Sequence, residues 1–478
     1  MSAFDALRHM HDELWDDERG MVRYARGVTP GIDLSSLNLH SVRETALGAL
    51  LDLEVGNDER GITAIRSVLA LQSPLSEWPW SGTFPVTAEQ PEPPGRDAIE
   101  WVHYDPNWRQ FLGCILALAA LEHGDALPDD VIGGIATALV RCVMGEPDGR
   151  IAPWYTNPNL MHAWLQGRVG AAAGDAALSE AGLTRVEQIA ERFQRFGDVD
   201  EYNSPTYDGI DLLALALWVR HPPSRRHQEV GSAMIARLGE RISTLYHPAL
   251  GATCGPYIRA YGLEPRRYVS LVGLWLHHSG EPAEAVLPTP LDQNSVHVHD
   301  LYFLPVIRCL APAVLPHLSV ADVRIERRHV QRFGDTHAES LLRPDVAVGW
   351  EFDRRQEFSI DQYVPFSAHF TIGGQPTSIG VMLPDETAWV DCRRIDDEAG
   401  APRFELRAGG RAEDVGLRIV AGSELTVAPA HVTMGACEIH FDTSAEEITE
   451  TVTPIGREVQ LRWATDRVAA RVDVSIGV

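Results

Sequence analysis

The chain is short of positive charge, of paired cysteines and of long apolar runs, and each shortage excludes something. Its 41 Lys and Arg residues face 67 Asp and Glu, a formal net charge of −26 over 478 residues. A field of that sign repels nucleic acid and anionic membranes, and it slows the capture of a long polyanion. It leaves room for a small positive cleft. The six cysteines, at 114, 142, 254, 309, 392 and 437, show no CxxC spacing and sit in apolar stretches such as FLGCILALAA. Buried free thiols are expected, not a disulfide frame. The N-terminus has no basic segment followed by an apolar one, and uninterrupted apolar runs such as LLALALWV fall short of a membrane span. A cytoplasmic, reducing location is expected. No glycine-rich phosphate loop, HExxH or GxSxG is present. VHVHD at 296–300 sets His297 and His299 at strand spacing before Asp300, but without further ligands nearby a polar turn is the better reading. No metal and no cofactor is expected.

What is present falls into two halves with different periods. The chain is too long for one ordinary core, and 45% hydrophobic residues suffice for two. Up to about residue 310 the apolar spacing is helical, as in Phe4, Leu7, Met10 and Leu14. Helices are expected near 58–72, 105–123, 128–145, 157–173, 183–195, 208–220, 227–246 and 266–279. Beyond about 320, stretches such as DVRIERRHVQRF (322–333) and REVQLRWATD alternate with period two between Gly, Pro and Asp breaks. The reading is an α+β multidomain chain, helical over 1–315 and an antiparallel β-sandwich over 316–478. The stretch 73–98 is irregular and carries Trp78, Trp80 and Phe84; it is a functional rim or an aromatic-anchored connector.

Four clusters place aromatic and polar residues at the mouth of an apolar helix. The first is HYDPNWRQFLG, with His103, Tyr104, Asp105, Asn107, Trp108 and Arg109. The second is PWYTNPNLMHAWLQG, with Tyr155, Asn157, Asn159 and His162. The third is EYNSPTYDGIDLLALALW, with Glu201, Tyr202, Asn203, Tyr207 and Asp208. The fourth is LYHPALGATCGPYIRAYG, with Tyr257, Arg259 and Tyr261. Each has a plain alternative: Asp105, Asn157 or Asn159, and Asp208 are good N-caps, and Pro106 and Pro158 suit a first helical turn. Capping needs one polar residue per helix, however, and these stretches carry several. Their recurrence every 50 residues or so points to helix ends that converge on one funnel, as in an (α/α) toroid, incomplete or of six hairpins.

A helical toroid followed by an antiparallel sandwich, with Asn, His, Tyr and Arg spread over the loops, resembles the heparinase- and alginate-lyase-type polysaccharide lyases. "NSPTY" and "GPYIRAYG" look like the Asn/Tyr and Arg/Tyr stretches of those enzymes. The resemblance implies β-elimination on a uronate-containing oligosaccharide or related small glycoside. That chemistry needs donors to neutralise the carboxylate, and a base and an acid to move a proton. The resemblance implies Asn203, Tyr207, His162, Tyr257 and Arg259 as catalytic residues, Arg259 suited to a carboxylate. His103, Tyr104, Asn107, Trp108, Tyr155, Asn157, Tyr202, Asp208, Trp78 and Trp80 are the expected substrate-binding residues. An inverting glycoside hydrolase on the same toroid is the alternative, with Glu201 and Asp208 or Asp211 as its carboxylates. A terpenoid-type cyclase or isomerase, and a binding protein with a dead cleft, also remain open. The expected partner is a small-molecule or oligosaccharide substrate, with no nucleic acid and no membrane; a homodimer is left open.

Overall fold

The helix starts are set by side chains that accept otherwise orphaned backbone N–H groups. Ser2, Ser41, Asp175 and Ser270 play this part, accepting from the N–H groups of Asp5, Glu44, Leu178 and Gly273. The structure, a computed structural model, describes residues 2–28, 37–320, 326–355, 362–383, 387–395, 402–410, 416–421, 426–428, 431–434, 437–441, 445–453, 456–463 and 470–476. Its helices are α1 (Ala3–Leu14), α2 (Val42–Glu54), α3 (Asp58–Ala70), α4 (Trp108–His123), α5 (Asp129–Met144), α6 (Thr156–Ala173), α7 (Ala176–Phe196), α8 (Tyr207–Arg220), α9 (Arg225–Leu245), α10 (Leu271–His278), α11 (Ala283–Val286) and α12 (Leu304–Val314). Helix α7 begins well before the expected 183 because Asp175 caps it. Gly174, at φ +66°, makes the left-handed turn that separates α6 from α7.

The chain divides into two compact units. The first takes Met1–Asp200, Gly209–Arg237 and Pro290–His317; the second takes Glu201–Asp208, Leu238–Thr289 and Leu318–Val478. In the first unit, buried indoles tie α6 to α8: Trp218 Nε1 donates to Leu160 O and Trp164 Nε1 to His221 O, each at 3.0 Å. The stretch 73–98 is an anchored connector. Trp80 and Phe84 are buried, and Arg109 Nε donates to Ser81 O at 2.7 Å. Among the described residues one helical stretch, Val298–His317, is long and apolar enough to cross a membrane, and 67% of its apolar window is buried. The six cysteines are free thiols, five of them buried.

The second unit holds two antiparallel sheets. One has eight strands in the order Ala445–Thr453, Gly456–Trp463, Gly416–Ala421, Gln375–Leu383, Tyr363–Ile372, Val346–Phe352, Thr336–Arg343 and Arg327–Phe333. The other has seven, in the order Thr426–Ala428, His431–Met434, Cys437–Phe441, Ala470–Ile476, Arg403–Gly410, Thr387–Arg394 and Arg354–Arg355. The strand expected from 322 is described from Arg327; residues 321–325 lie outside the described residues. Both sheets feed one apolar core, in which Trp350 and Phe366 of the first pack on Phe404 of the second at 5.1 and 5.2 Å between ring centroids.

Within this unit, segment 201–208 is sewn to segment 253–261. Ile258 N–H donates to Tyr202 O (3.1 Å), and Ser204 Oγ donates to Arg259 O (2.7 Å). Asn203 Nδ2 donates to Cys254 O (2.7 Å) and Pro256 O (2.9 Å), while Ser340 Oγ donates to the intervening Gly255 O (2.6 Å). The far end is held by the sheet: Tyr257 exchanges backbone bonds with Val364 (3.0 and 2.9 Å). The Tyr257 hydroxyl donates to Thr253 O and meets His369 Nε2 at 2.8 Å. That phenol has one proton, so His369 must supply the N–H of the second bond, which fixes the Nε2–H tautomer. Burial first, then the charges of His247 and Arg266, lower the His369 pKa to about 3.

Two expectations follow. A Cβ at Gly349 would lie 1.8 Å from Gly255 O, and backbone cannot swing aside as a side chain can. Gly349→Ala should therefore cost about 3 kcal/mol or more in chemical denaturation; a midpoint equal to wild type would show that the contact is soft. His369 is neutral when folded and takes a proton more readily when unfolded. Its contribution is complete above the unfolded value and is lost as pH falls below about 6.5 toward 3, at about 1.4 kcal/mol per pH unit. Denaturation between pH 7 and pH 5 should show a shallower loss in His369→Gln than in wild type.

Candidate active site

Tyr207, Arg259, Tyr261 and Glu201 form one hydrogen-bonded array in the second unit. Ser204 creates it by doing two jobs: its Oγ accepts the Tyr207 N–H (2.9 Å), starting α8, and donates to Arg259 O. Ser204, not Asp208, is thus the cap of this helix. Arg259 reaches back with Nη1 on Glu201 Oε1 (2.9 Å) and Nη2 on the Tyr207 hydroxyl (2.8 Å), its guanidinium carbon 3.9 Å from the centre of the Tyr207 ring. The Tyr261 hydroxyl lies 2.8 Å from that of Tyr207. Burial, and then Tyr261, push the Tyr207 pKa well above its ordinary value, with Arg259 opposing the rise. The Arg259 pKa is raised by Tyr207 and Glu201 against the effect of burial, so the guanidinium is a permanent cation.

The other residues of the third and fourth clusters serve the frame. Asn203 stands at φ +54° and spends both amide hydrogens on backbone carbonyls; its buried Oδ1 has no partner among the described residues. Tyr202 is wholly buried, with Arg241 over its ring (5.0 Å) and Phe333 edge-on (5.4 Å). Asp208 holds Arg241 with both carboxylate oxygens (2.7 and 3.0 Å), and both partners are buried. Burial raises the Asp208 pKa and Arg241 opposes it. Tyr257 is part of the buried anchor described above.

In the first unit the structure gathers Asn107, Tyr155 and His162 around Glu146. Arg150 grips that carboxylate with two bonds (2.5 and 2.9 Å), and Gln110 Nε2 adds a third (3.0 Å). Arg150 Nη1 also donates to Asn107 Oδ1 (3.0 Å), whose Nδ2 donates to the Tyr155 hydroxyl (2.7 Å). His162 Nδ1 lies 3.3 Å from Gln110 Nε2. Burial, then the charges of Arg185, Arg150 and Arg109, hold His162 well below its ordinary pKa, so the ring is neutral near pH 7. Asn157 is buried in the first turn of α6, and Trp108 opens α4. His103 is half-buried and accepts the Ile99 N–H (2.9 Å), while the Tyr104 hydroxyl approaches Glu100 at 3.4 Å. Trp78 and Trp80 stack on each other at 5.5 Å, with Trp80 against Tyr104. His297 and His299 meet edge to face at 5.5 Å, and among the described residues no three His, Cys, Asp or Glu side chains come together as a metal site.

Sequence reasoning passed over Glu146, Arg150 and Gln110, and it left Tyr261 without a role. A faint signal existed for the first pair, an acid and an arginine four residues apart in GEPDGR. Tyr261 had no signal beyond following Arg259 by two positions.

No curated protein matches the chain in sequence. Similar solved structures include a chondroitin AC lyase from Streptomyces coelicolor A3, at 12% identity and a TM-score of 0.44, over 99% of this chain and 78% of that one. A heparinase III is similar at 9% identity and a TM-score of 0.35, over 90% of this chain and 77% of that one. A Paenibacillus xanthan lyase is similar at 9% identity and a TM-score of 0.41, over all of this chain and 57% of that one. Over residues 2–312, which take in the first two clusters and the array around Tyr207, the chain belongs to the family described as "Domain of unknown function (DUF8769)".

Proposed function

We propose that this protein is a carbohydrate-active lyase that cleaves a uronate-containing oligosaccharide or related small glycoside by β-elimination. In this reading the helices over 1–315 are an (α/α) toroid and the strands over 316–478 a β-sandwich. The observation that carries it is the Tyr207 hydroxyl, which has a guanidinium N–H and a second phenol each 2.8 Å away. Elimination needs a base to accept the proton beside the carboxylate and a cation or donor to stabilise the negative charge that builds on the substrate as that proton leaves. Arg259 opposes the rise that burial causes in the Tyr207 pKa and so favours the deprotonated oxygen, and its side chain keeps 19% exposure with which to meet a substrate carboxylate.

A glycoside hydrolase fits the same residues less well. Of its candidate carboxylates Glu201, Asp208, Asp211 and Asp105, Asp208 presents both oxygens to Arg241 and Glu201 is bonded to Arg259. Asp208, at least, is committed to that ion pair.

Lysis of a uronate glycan leaves an unsaturated uronate that absorbs in the ultraviolet, whereas hydrolysis leaves only new reducing ends. Tyr207→Phe should lower kcat for the absorbing product by about 10²–10⁴-fold, with an unchanged melting temperature. Full activity in that variant would sink the assignment. Arg259→Lys keeps the charge but cannot bridge Glu201 and Tyr207 with a rigid fork. It should lower kcat by about 10²-fold, as loss of one oxyanion donor does, and a wild-type rate would show that charge alone suffices.

A further inference from the structure

In a chain of net charge −26, three arginines of the first unit act on one imidazole, that of His162. We infer that His162, Asn159 and Arg185 form a binding site for a small oxyanion, the carboxylate of a sugar acid or an inorganic anion of like size. The inference does not rest on the lyase reading.

Helical spacing brings the donors together. Asn159 and His162 stand three residues apart in α6 and so share a face. Arg185 comes from α7, and its Nη1 donates to Asn159 Oδ1 at 2.9 Å. That bond fixes which end of the amide is oxygen, so Asn159 Nδ2 is a donor. Asn159 is 1% exposed, and its Nδ2 has no acceptor among the described residues. Glu146 fixes Gln110 Nε2 in the same way, by accepting from it at 3.0 Å. Gln110 Nε2 therefore donates to His162 Nδ1, 3.3 Å away, and the hydrogen of the neutral ring sits on Nε2. His162 is 2% exposed, and this Nε2–H meets no acceptor among the described residues. Arg185 is half-buried and spends one of its five N–H groups, on the neutral Asn159.

What these three side chains leave over is all donor and positive. Their one acceptor oxygen, Asn159 Oδ1, is taken by Arg185. Buried donors without acceptors are costly, and a ligand that brings acceptors removes the cost. The charge points the same way. Arg109 and Arg150 are paired with Glu146, at 3.4 and 2.5 Å. Arg185 makes no ion pair among the described residues. Burial lowers its pKa, and Glu146 and Asp148 oppose this only from beyond ion-pair distance. After burial, Arg185 is the strongest influence that keeps His162 neutral. A small oxyanion carries acceptors and a negative charge, so it answers both the empty donors and the unpaired guanidinium. A cation answers neither. Gln110 Oε1, beside this set, is a buried acceptor without a donor among the described residues. A sugar acid or hydrogen phosphate carries a hydroxyl that can supply one.

The test is isothermal titration of the full chain at pH 7 and constant ionic strength, with sodium glucuronate in one arm and inorganic phosphate in the other. Wild type should bind one equivalent in at least one arm. Binding of glucuronate alone identifies the ligand as a carboxylate, and binding of phosphate alone as an inorganic anion. Arg185→Gln should weaken binding by about 10–100-fold, the worth of a hydrogen bond to a charged group. Asn159→Asp guards against a variant that fails to fold. It is isosteric and gives Arg185 a carboxylate of its own, so the protein should melt no lower than wild type and yet lose the anion. No saturable heat from wild type in either arm overturns the site. Binding of wild-type strength in Asn159→Asp or in Arg185→Gln also overturns it, because the anion then sits elsewhere.

Discussion

The array in the second unit depends on one side chain amide. Asn203 donates both of its Nδ2 hydrogens to the carbonyls of Cys254 and Pro256. Each of those carbonyls, left buried without a donor, would cost about 1–3 kcal/mol. The backbone of Asn203 sits in the left-handed region at φ +54°, a conformation Asn tolerates better than most residues. What the bend achieves is registry. Once residues 254–256 are hung on Asn203, the next turn brings Arg259 O to Ser204 Oγ, and the guanidinium falls between Glu201 and Tyr207. Residues more than fifty positions apart are thereby held at hydrogen-bond distance.

Cap and candidate site turn out to be one structure, not rival explanations of the same polar residues. Ser204 satisfies the first N–H of α8 and, through its own hydrogen, the carbonyl of the residue that carries the guanidinium. The helix start and the position of Arg259 are fixed by one hydroxyl. The wholly buried Arg241–Asp208 pair then locks the first turn from behind, where breaking either partner would strand a buried charge. Glu201, Asn203, Ser204, Tyr207 and Asp208 of EYNSPTYD thus each have a stated partner.

How much of this was legible in the sequence follows from where each signal comes from. Amphipathic helices such as α1 and α5 announce themselves by spacing, and alternation marks Gly456–Trp463. The strands Thr336–Arg343 and Val346–Phe352 were invisible because almost every residue in them is buried, which erases the period-two pattern. Tyr207 and Arg259 stood out as residue types near a helix mouth. Tyr202 stood out equally and is core, because an aromatic side chain reads the same in a cleft and in a core. Asn203 was legible as polar, but its service to backbone carbonyls depends on a left-handed turn and a distant loop that no local pattern reveals.

The chain contains no lysine: all 41 of its basic Lys-or-Arg positions are arginine. That choice matters where Glu201 meets Arg259. An ammonium is a point charge, whereas the planar guanidinium can hold a carboxylate with one nitrogen and a phenol with another. Glu201 also offsets the charge of Arg259 across a 2.9 Å ion pair. An uncancelled arginine would hold a substrate carboxylate tightly from the outset, and binding that is equally strong before and during reaction does not speed it. In the proposed lyase, Glu201 would compete with a substrate carboxylate for the guanidinium.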